Sequence, residues 1–277
     1  MNALEIKSLT KHYPGFSLSD VSITLPSGCI MGLVGENGAG KSTTIKLILN
    51  LLHRDGGSIR VLGNEDGKLN MEDIGVVLDE VGLPGAMTPV QIGKVMAGCY
   101  KQWNQDNYEN LLNKMNLPRN KVFKEFSKGM KMKLGLAVAL SHGAKLLILD
   151  EATSGLDPVA REELLDLLND YTRDENHSVL FSSHIVSDLE KICDYIAFLH
   201  KGKLMLLEEK DQLLEQYVIV RCAPEELHTV DSDCIIGKKE NAFGVEAILK
   251  REAVTERMQV SAVSIEELFV FMAREVH

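Results

Sequence analysis

Residues Gly35-Glu36-Asn37-Gly38-Ala39-Gly40-Lys41-Ser42, followed by Thr43, have the spacing G-x-x-x-x-G-K-[ST]. Glycines so placed let successive backbone N–H groups curl around a phosphate, and a helix beginning there adds the partial positive charge of its N-terminus. At this spacing the Lys41 ammonium reaches β- and γ-phosphates, and the Ser42 hydroxyl can ligate Mg²⁺. The flanks agree. Cys29–Val34 is a continuous apolar run that reads as a buried strand, and Ser42–Leu52 has helical periodicity through Ile45, Ile48, Leu49 and Leu52. These residues predict a nucleotide site.

A second acidic element answers the first. The most apolar run of the chain, Lys145–Leu149, ends in Asp150-Glu151. Carboxylates at the C-terminal tip of a buried parallel strand stand where such sheets bind ligands. Asp150 is placed to hold Mg²⁺ through water, and Glu151 to polarise an attacking water. Ser127, in Phe126-Ser127-Lys128-Gly129-Met130, opens an apolar helical stretch through Leu134, Ala137, Val138 and Leu140, where it suits an N-cap. His184 follows a short strand, Ser178–Phe181, in SSHIVSDLE.

The elements that must position these residues alternate. Ala3–Leu9, Val21–Leu25, Ser58–Leu62, Asp73–Leu78, Ser178–Phe181 and Tyr195–Leu199 read as strands, and Val159–Tyr171 and Val186–Ile192 as helices. Strands alternating with helices predict an α/β fold around a parallel sheet covered on both faces. From Pro89 to Lys133 apolar residues recur at three and four (Tyr108, Leu111, Leu112, Met115), which predicts a helical insertion, broken at Pro118. After residue 217 short strand-like runs (YVIVRC, CIIGKK, VEAILK, MQVSAV) and a closing helix, Ile265–Ala273, predict a small α+β domain. The expected division is 1–217 and 218–277, with a helical subdomain near 85–135.

Composition narrows the partners. At 277 residues, with 45% hydrophobic and 25% charged residues, the chain is globular and has room for one large domain and an appendage. The net charge of −10 argues against bulk binding to nucleic acid or anionic lipid. No run approaches a membrane span, and the start MNALEIKSLTKHY lacks the apolar core of a secretion signal, so a cytosolic chain is expected. The five cysteines form no CxxC pair, and reduced, part-buried thiols are expected.

Taken together, over residues 1 to about 210, these elements resemble the ATP-binding cassette (ABC) family, the ATPase subunits of ABC transporters. The resemblance implies a P-loop NTPase fold, with ATP and Mg²⁺ as cofactors. It makes Tyr13 in KHYPG the aromatic that stacks on adenine and Gly35–Thr43 the phosphate loop. Ser127, Lys128, Gly129 and Met130 become a variant of the family's LSGGQ signature, Ser154–Asp157 the D-loop, and His184 the switch histidine at the γ-phosphate. The catalytic set is then Lys41, Glu151 and His184, and the metal set Ser42 and Asp150.

One position departs from the family pattern: its Q-loop glutamine falls on Asp79, followed by Glu80. A carboxylate can ligate Mg²⁺ and accept from water but cannot donate as an amide does, so Asp79 joins the metal candidates. Gln91 lies too far along and is expected in a helix. The resemblance further implies a head-to-tail dimer, homomeric or with a second ABC ATPase, closed by ATP across P-loop and signature. It places a separate membrane permease on about Gly85–Lys124, which would hold the chain on the inner face of the membrane. The end VSIEELFVF resembles exporters of the drug and peptide class. A soluble ABC ATPase acting on nucleic acid or the ribosome is the alternative, disfavoured by the short insertion and the acidic balance. A non-hydrolysing subunit is disfavoured by Glu151.

Overall fold

The computed structural model describes residues 1–241, 244–255 and 257–274. Two long strands, β1 (Asn2–Tyr13) and β2 (Phe16–Pro26), form a hairpin and lead into β3 (Ile30–Val34) and α1 (Lys41–Ile48). After them come β4 (Gly56–Val61), β5 (Ile74–Val77), α2 (Pro89–Cys99), α3 (Gln105–Lys114) and α4 (Lys128–Ala139). The chain continues through β6 (Leu146–Asp150), α5 (Pro158–Tyr171), β7 (Ser178–Ser183), α6 (Val186–Ile192), β8 (Tyr195–His200) and β9 (Lys203–Glu209). The remainder comprises α7 (Lys210–Gln216), β10 (Tyr217–Cys222), α8 (Pro224–Leu227), β11 (Ile235–Asn241), β12 (Gly244–Lys250), β13 (Gln259–Ala262) and α9 (Ile265–Arg274).

The central sheet has the order β5-β6-β7-β3-β8-β9, and the pairings from β5 through β8 are parallel. Its inner strands β3, β6 and β7 are buried at every position, which explains their continuous apolar runs. Because these strands run the same way, their C-terminal tips share one edge. The register sets Val34 beside Ser183, Asp150 beside Ser182, and Val77 beside Leu149. A separate antiparallel sheet, β2-β1-β4, buries Leu4, Ile6, Leu9, Val21, Ile23 and Leu25. No helix among the described residues is long and apolar enough to cross a membrane.

The chain divides into two compact units, 1–204 and 205–277, the division falling within β9. The sequence-based division at 217/218 lies inside the second unit, at the start of β10. β9 has no strand signature in its residues, because KLMLLEE does not alternate and all but one of its residues are half-buried. The second unit carries an antiparallel sheet, β11-β12-β10-β13, over a core of Val218, Val220, Leu227, Val245, Ala247 and Leu249. α9 packs on β11, with Phe271 against Gly237, where even a Cβ would come within 3.0 Å of it.

Several boundaries differ from expectation, β1 and β2 being longer at Asn2–Tyr13 and Phe16–Pro26, and two of the differences bear on the site. α1 stops at Ile48 because Leu49 caps it and Asn50 turns left-handed at φ 55°. β7 runs two residues beyond Phe181, which puts Ser182 inside the strand.

Candidate nucleotide site

The loop from Gly35 to Gly40 leaves the tip of β3 and turns into α1 through Gly40, at φ 112°. Gly35 is pressed so closely that a Cβ there would sit 2.2 Å from the carbonyl oxygen of Leu199. Any larger residue must displace backbone. Ala39 and Gly40 are buried, whereas Glu36, Asn37 and Gly38 face solvent. Ser42 and Thr43 are half-buried in the first turn of α1. The side chain of Lys41 is 5% exposed, and its ammonium donates to the carbonyls of Gly35 (2.7 Å) and Glu36 (3.3 Å). A buried charge needs such partners, and here the loop's own carbonyls surround it.

Across the strand tips, Lys41 Nζ is 3.4 Å from Glu151 Oε1, an ion pair in which that buried oxygen accepts no hydrogen bond. The other carboxylate oxygen, Oε2, is 2.5 Å from His184 Nδ1. Glu151 itself adopts φ 54°, a left-handed conformation that is costly for a residue with a Cβ and tends to cluster at functional sites. Ser182, on the strand between β6 and β3, holds it there. Its hydroxyl and its carbonyl each accept from the Glu151 N–H at 3.1 Å, and the hydroxyl donates to Asp150 Oδ1 at 2.6 Å. Asp150 is buried.

The remaining candidates lie outside this cluster. Tyr13, 37% exposed, ends β1 with its ring 6.4 Å from that of Phe16 and with the Lys11 ammonium 5.5 Å from its centroid. Ser127 caps α4 by accepting from the Met130 N–H at 3.2 Å. Gly129 packs against Leu156, where a Cβ would lie 3.1 Å from a Leu156 methyl. Asp157 caps α5 by accepting from the N–H groups of Val159 and Ala160. The Ala160 bond foremost, then that from Val159, holds its carboxyl below the usual range. Asp79 pairs with Lys128 at 2.6 Å. Gln91 sits in α2 and closes a capping box with Thr88.

Among the described residues no three His, Cys, Asp or Glu side chains form a cage for a metal. The donors available are instead one hydroxyl, Ser42 in the first turn of α1, and one buried carboxylate, Asp150 at the tip of β6. That set fits Mg²⁺, which keeps several waters and takes few protein ligands beside phosphate oxygens.

A family description reading "ABC transporter" matches residues 18–154. The lantibiotic transport ATP-binding protein SrtF of Streptococcus pyogenes is 36% identical over 211 residues, covering 75% of this chain and 91% of SrtF. The chain belongs to the ABC transporter ATP-binding proteins. The bacitracin transport ATP-binding protein BcrA of Enterococcus faecalis is 32% identical over 73% of this chain and 68% of BcrA. Among solved structures, an ATP-binding subunit of an ABC transporter superposes with a TM-score of 0.68 at 29% identity, over 77% of this chain and 92% of that one. As an ABC ATP-binding protein the chain is an ATP hydrolase with the P-loop NTPase fold.

One residue and one pairing of this ABC site are absent from the sequence analysis. Ser182 lies beyond the predicted end of its strand at Phe181, and its only local signal is the serine pair before His184 in SSH. The pairing of Lys128 with Asp79 joins positions 49 residues apart, and no local pattern announces it.

Proposed function

We propose that this chain binds and hydrolyses ATP to drive a separate membrane permease that exports drugs, antimicrobial peptides or other amphipathic compounds. The observation that carries the catalytic half is the position of Glu151, a carboxylate fixed at the tip of β6 between Lys41 and His184. The export half rests on likeness to the lantibiotic and bacitracin transport proteins.

In this reading the carbonyls of Gly35 and Glu36 occupy the Lys41 ammonium until phosphate oxygens replace them. The backbone from Gly35 to Thr43 wraps the phosphates, and Tyr13 stacks on the base. Ser42 and Asp150 hold Mg²⁺, which supplies charge neutralisation at the phosphates. Glu151 takes a proton from the attacking water, and a general base contributes about 10²–10⁴-fold. His184, on the far side of that carboxylate, orients it and meets the γ-phosphate.

The signature segment Ser127–Met130 opens α4 behind the Ser127 cap, and its phosphate partner in this reading belongs to a second subunit. A second subunit facing it head to tail would complete the site, so ATP closes the dimer and hydrolysis reopens it. The helical insertion, about Gly85–Lys124, offers the permease its docking face, and the second compact unit, 205–277, serves as an accessory domain. Purification of the chain with its partners from native membranes in mild detergent tests the assignment. Stoichiometric recovery of a polytopic membrane protein is expected. Recovery with ribosomes or nucleic acid, and without a membrane protein, overturns it.

A further inference from the structure

Asp79 stands where the ABC pattern has a neutral glutamine, and Lys128 stands within the signature segment. Their side chains form an ion pair at 2.6 Å, and they are 51% and 48% exposed. Lys128 is the first residue of α4, directly after the Ser127 cap. Its stem runs beside the turn after β6, since a Cβ on Gly155 would lie 3.4 Å from Lys128 Cδ. Lys128 thus links three segments: its backbone starts α4, its stem passes the Ser154–Asp157 turn, and its ammonium meets the loop after β5.

A pair this exposed does not hold the fold together, because surface ion pairs contribute little and exchange partners readily. Its consequence lies in what Lys128 is kept from doing. We infer that Asp79 and Lys128 form an electrostatic latch: the carboxylate occupies the signature lysine in the open subunit, and ATP-driven closure transfers that lysine to the phosphates bound by the opposing subunit. This rests on the proposed head-to-tail dimer. A triphosphate carries more charge than one carboxylate and forms strong charge-assisted bonds with an ammonium, so it wins the exchange once it arrives. A glutamine at position 79 would hold the lysine only as a neutral acceptor. The acid thus raises the ATP concentration at which the subunits close, and its effect on the site acts through Lys128 rather than directly on the nucleotide.

The test uses the full chain carrying Glu151→Gln, in which closed dimers accumulate. Dimerisation is followed by sedimentation velocity against Mg·ATP, with Asp79→Asn and Lys128→Gln introduced singly and together. Asp79→Asn should lower the ATP midpoint by about threefold or more, since two exposed pairs per dimer no longer have to break. Lys128→Gln should raise the midpoint. The double variant should match Lys128→Gln alone, because Asp79 has then lost its partner. An equal shift from Asp79→Asn in both backgrounds means that the carboxylate acts directly on the phosphates, and it overturns the latch. No shift with Lys128 intact overturns it too. Absence of any ATP-dependent dimer in the parent Glu151→Gln protein would instead remove the proposed dimer, and the latch with it.

Discussion

His184 Nδ1 lies 2.5 Å from Glu151 Oε2, although the two residues leave different strands and stand 33 positions apart. An ionised carboxylate can only accept, so in a contact with one the proton sits on Nδ1. With the Lys41 ammonium 3.4 Å from the other oxygen, the Glu151 carboxylate stands between an imidazole that bonds it and a cation that pairs with it. The consequence is orientation: a carboxylate held from both sides is confined to one rotamer.

Replacement Glu151→Gln keeps the shape and the half-buried setting but removes the basicity. ATP turnover should fall by about 10²–10⁴-fold, the usual contribution of a general base. Nucleotide binding should persist, and dimers should accumulate with Mg·ATP on size-exclusion chromatography. Turnover at the unsubstituted rate would remove Glu151 from the chemistry.

Lys41→Ala deletes the ammonium now shared by the Gly35 and Glu36 carbonyls and Glu151. Charge-assisted hydrogen bonds contribute about 1.5–3 kcal/mol, so nucleotide affinity should drop by at least tenfold. Titration with a fluorescent ATP analogue measures it. An affinity within twofold of the parent protein would place the phosphates elsewhere.

Tyr13→Ala removes the exposed ring at the end of β1. Stacking accepts any purine, so ATP and GTP affinities should fall together, by about tenfold. A loss confined to one nucleotide would point to hydrogen-bond recognition of the base. No loss at all would pass the role to Phe16, whose ring is 6.4 Å away.

Ser182→Ala strips Asp150 of a buried donor and the Glu151 N–H of one of its two acceptors. Leaving such groups unpaired costs about 1–3 kcal/mol, which a denaturant melt would register. Hydrolysis should suffer more than nucleotide binding, because the change reaches the β6 tip and leaves the Gly35–Gly40 loop intact. Equal losses in both would mean that Ser182 supports the loop as well.

Much of this protein was written locally. The glycine spacing before Lys41, the apolar runs of β3 and β6, and the Asp150-Glu151 pair at a strand end carry their chemistry in a few consecutive residues, because a strand-loop-helix turn is a short-range structure. Periodicity likewise located α5, and Ser127 is the cap of α4 that its residue type suggested. What tertiary structure decided is which of these segments meet. The strand order β6-β7-β3 places Ser182 between the acidic tip and the Gly35–Gly40 loop, and parallel register brings Lys41, Glu151 and His184 to one edge. Strand order follows from crossover connections and burial on both sheet faces, which no window of sequence encodes. Asp79 shows the same limit: its residue type suggested a metal ligand, whereas its partner in the folded chain is Lys128, supplied by a helix 49 residues later and brought close only by packing of α4 against β5.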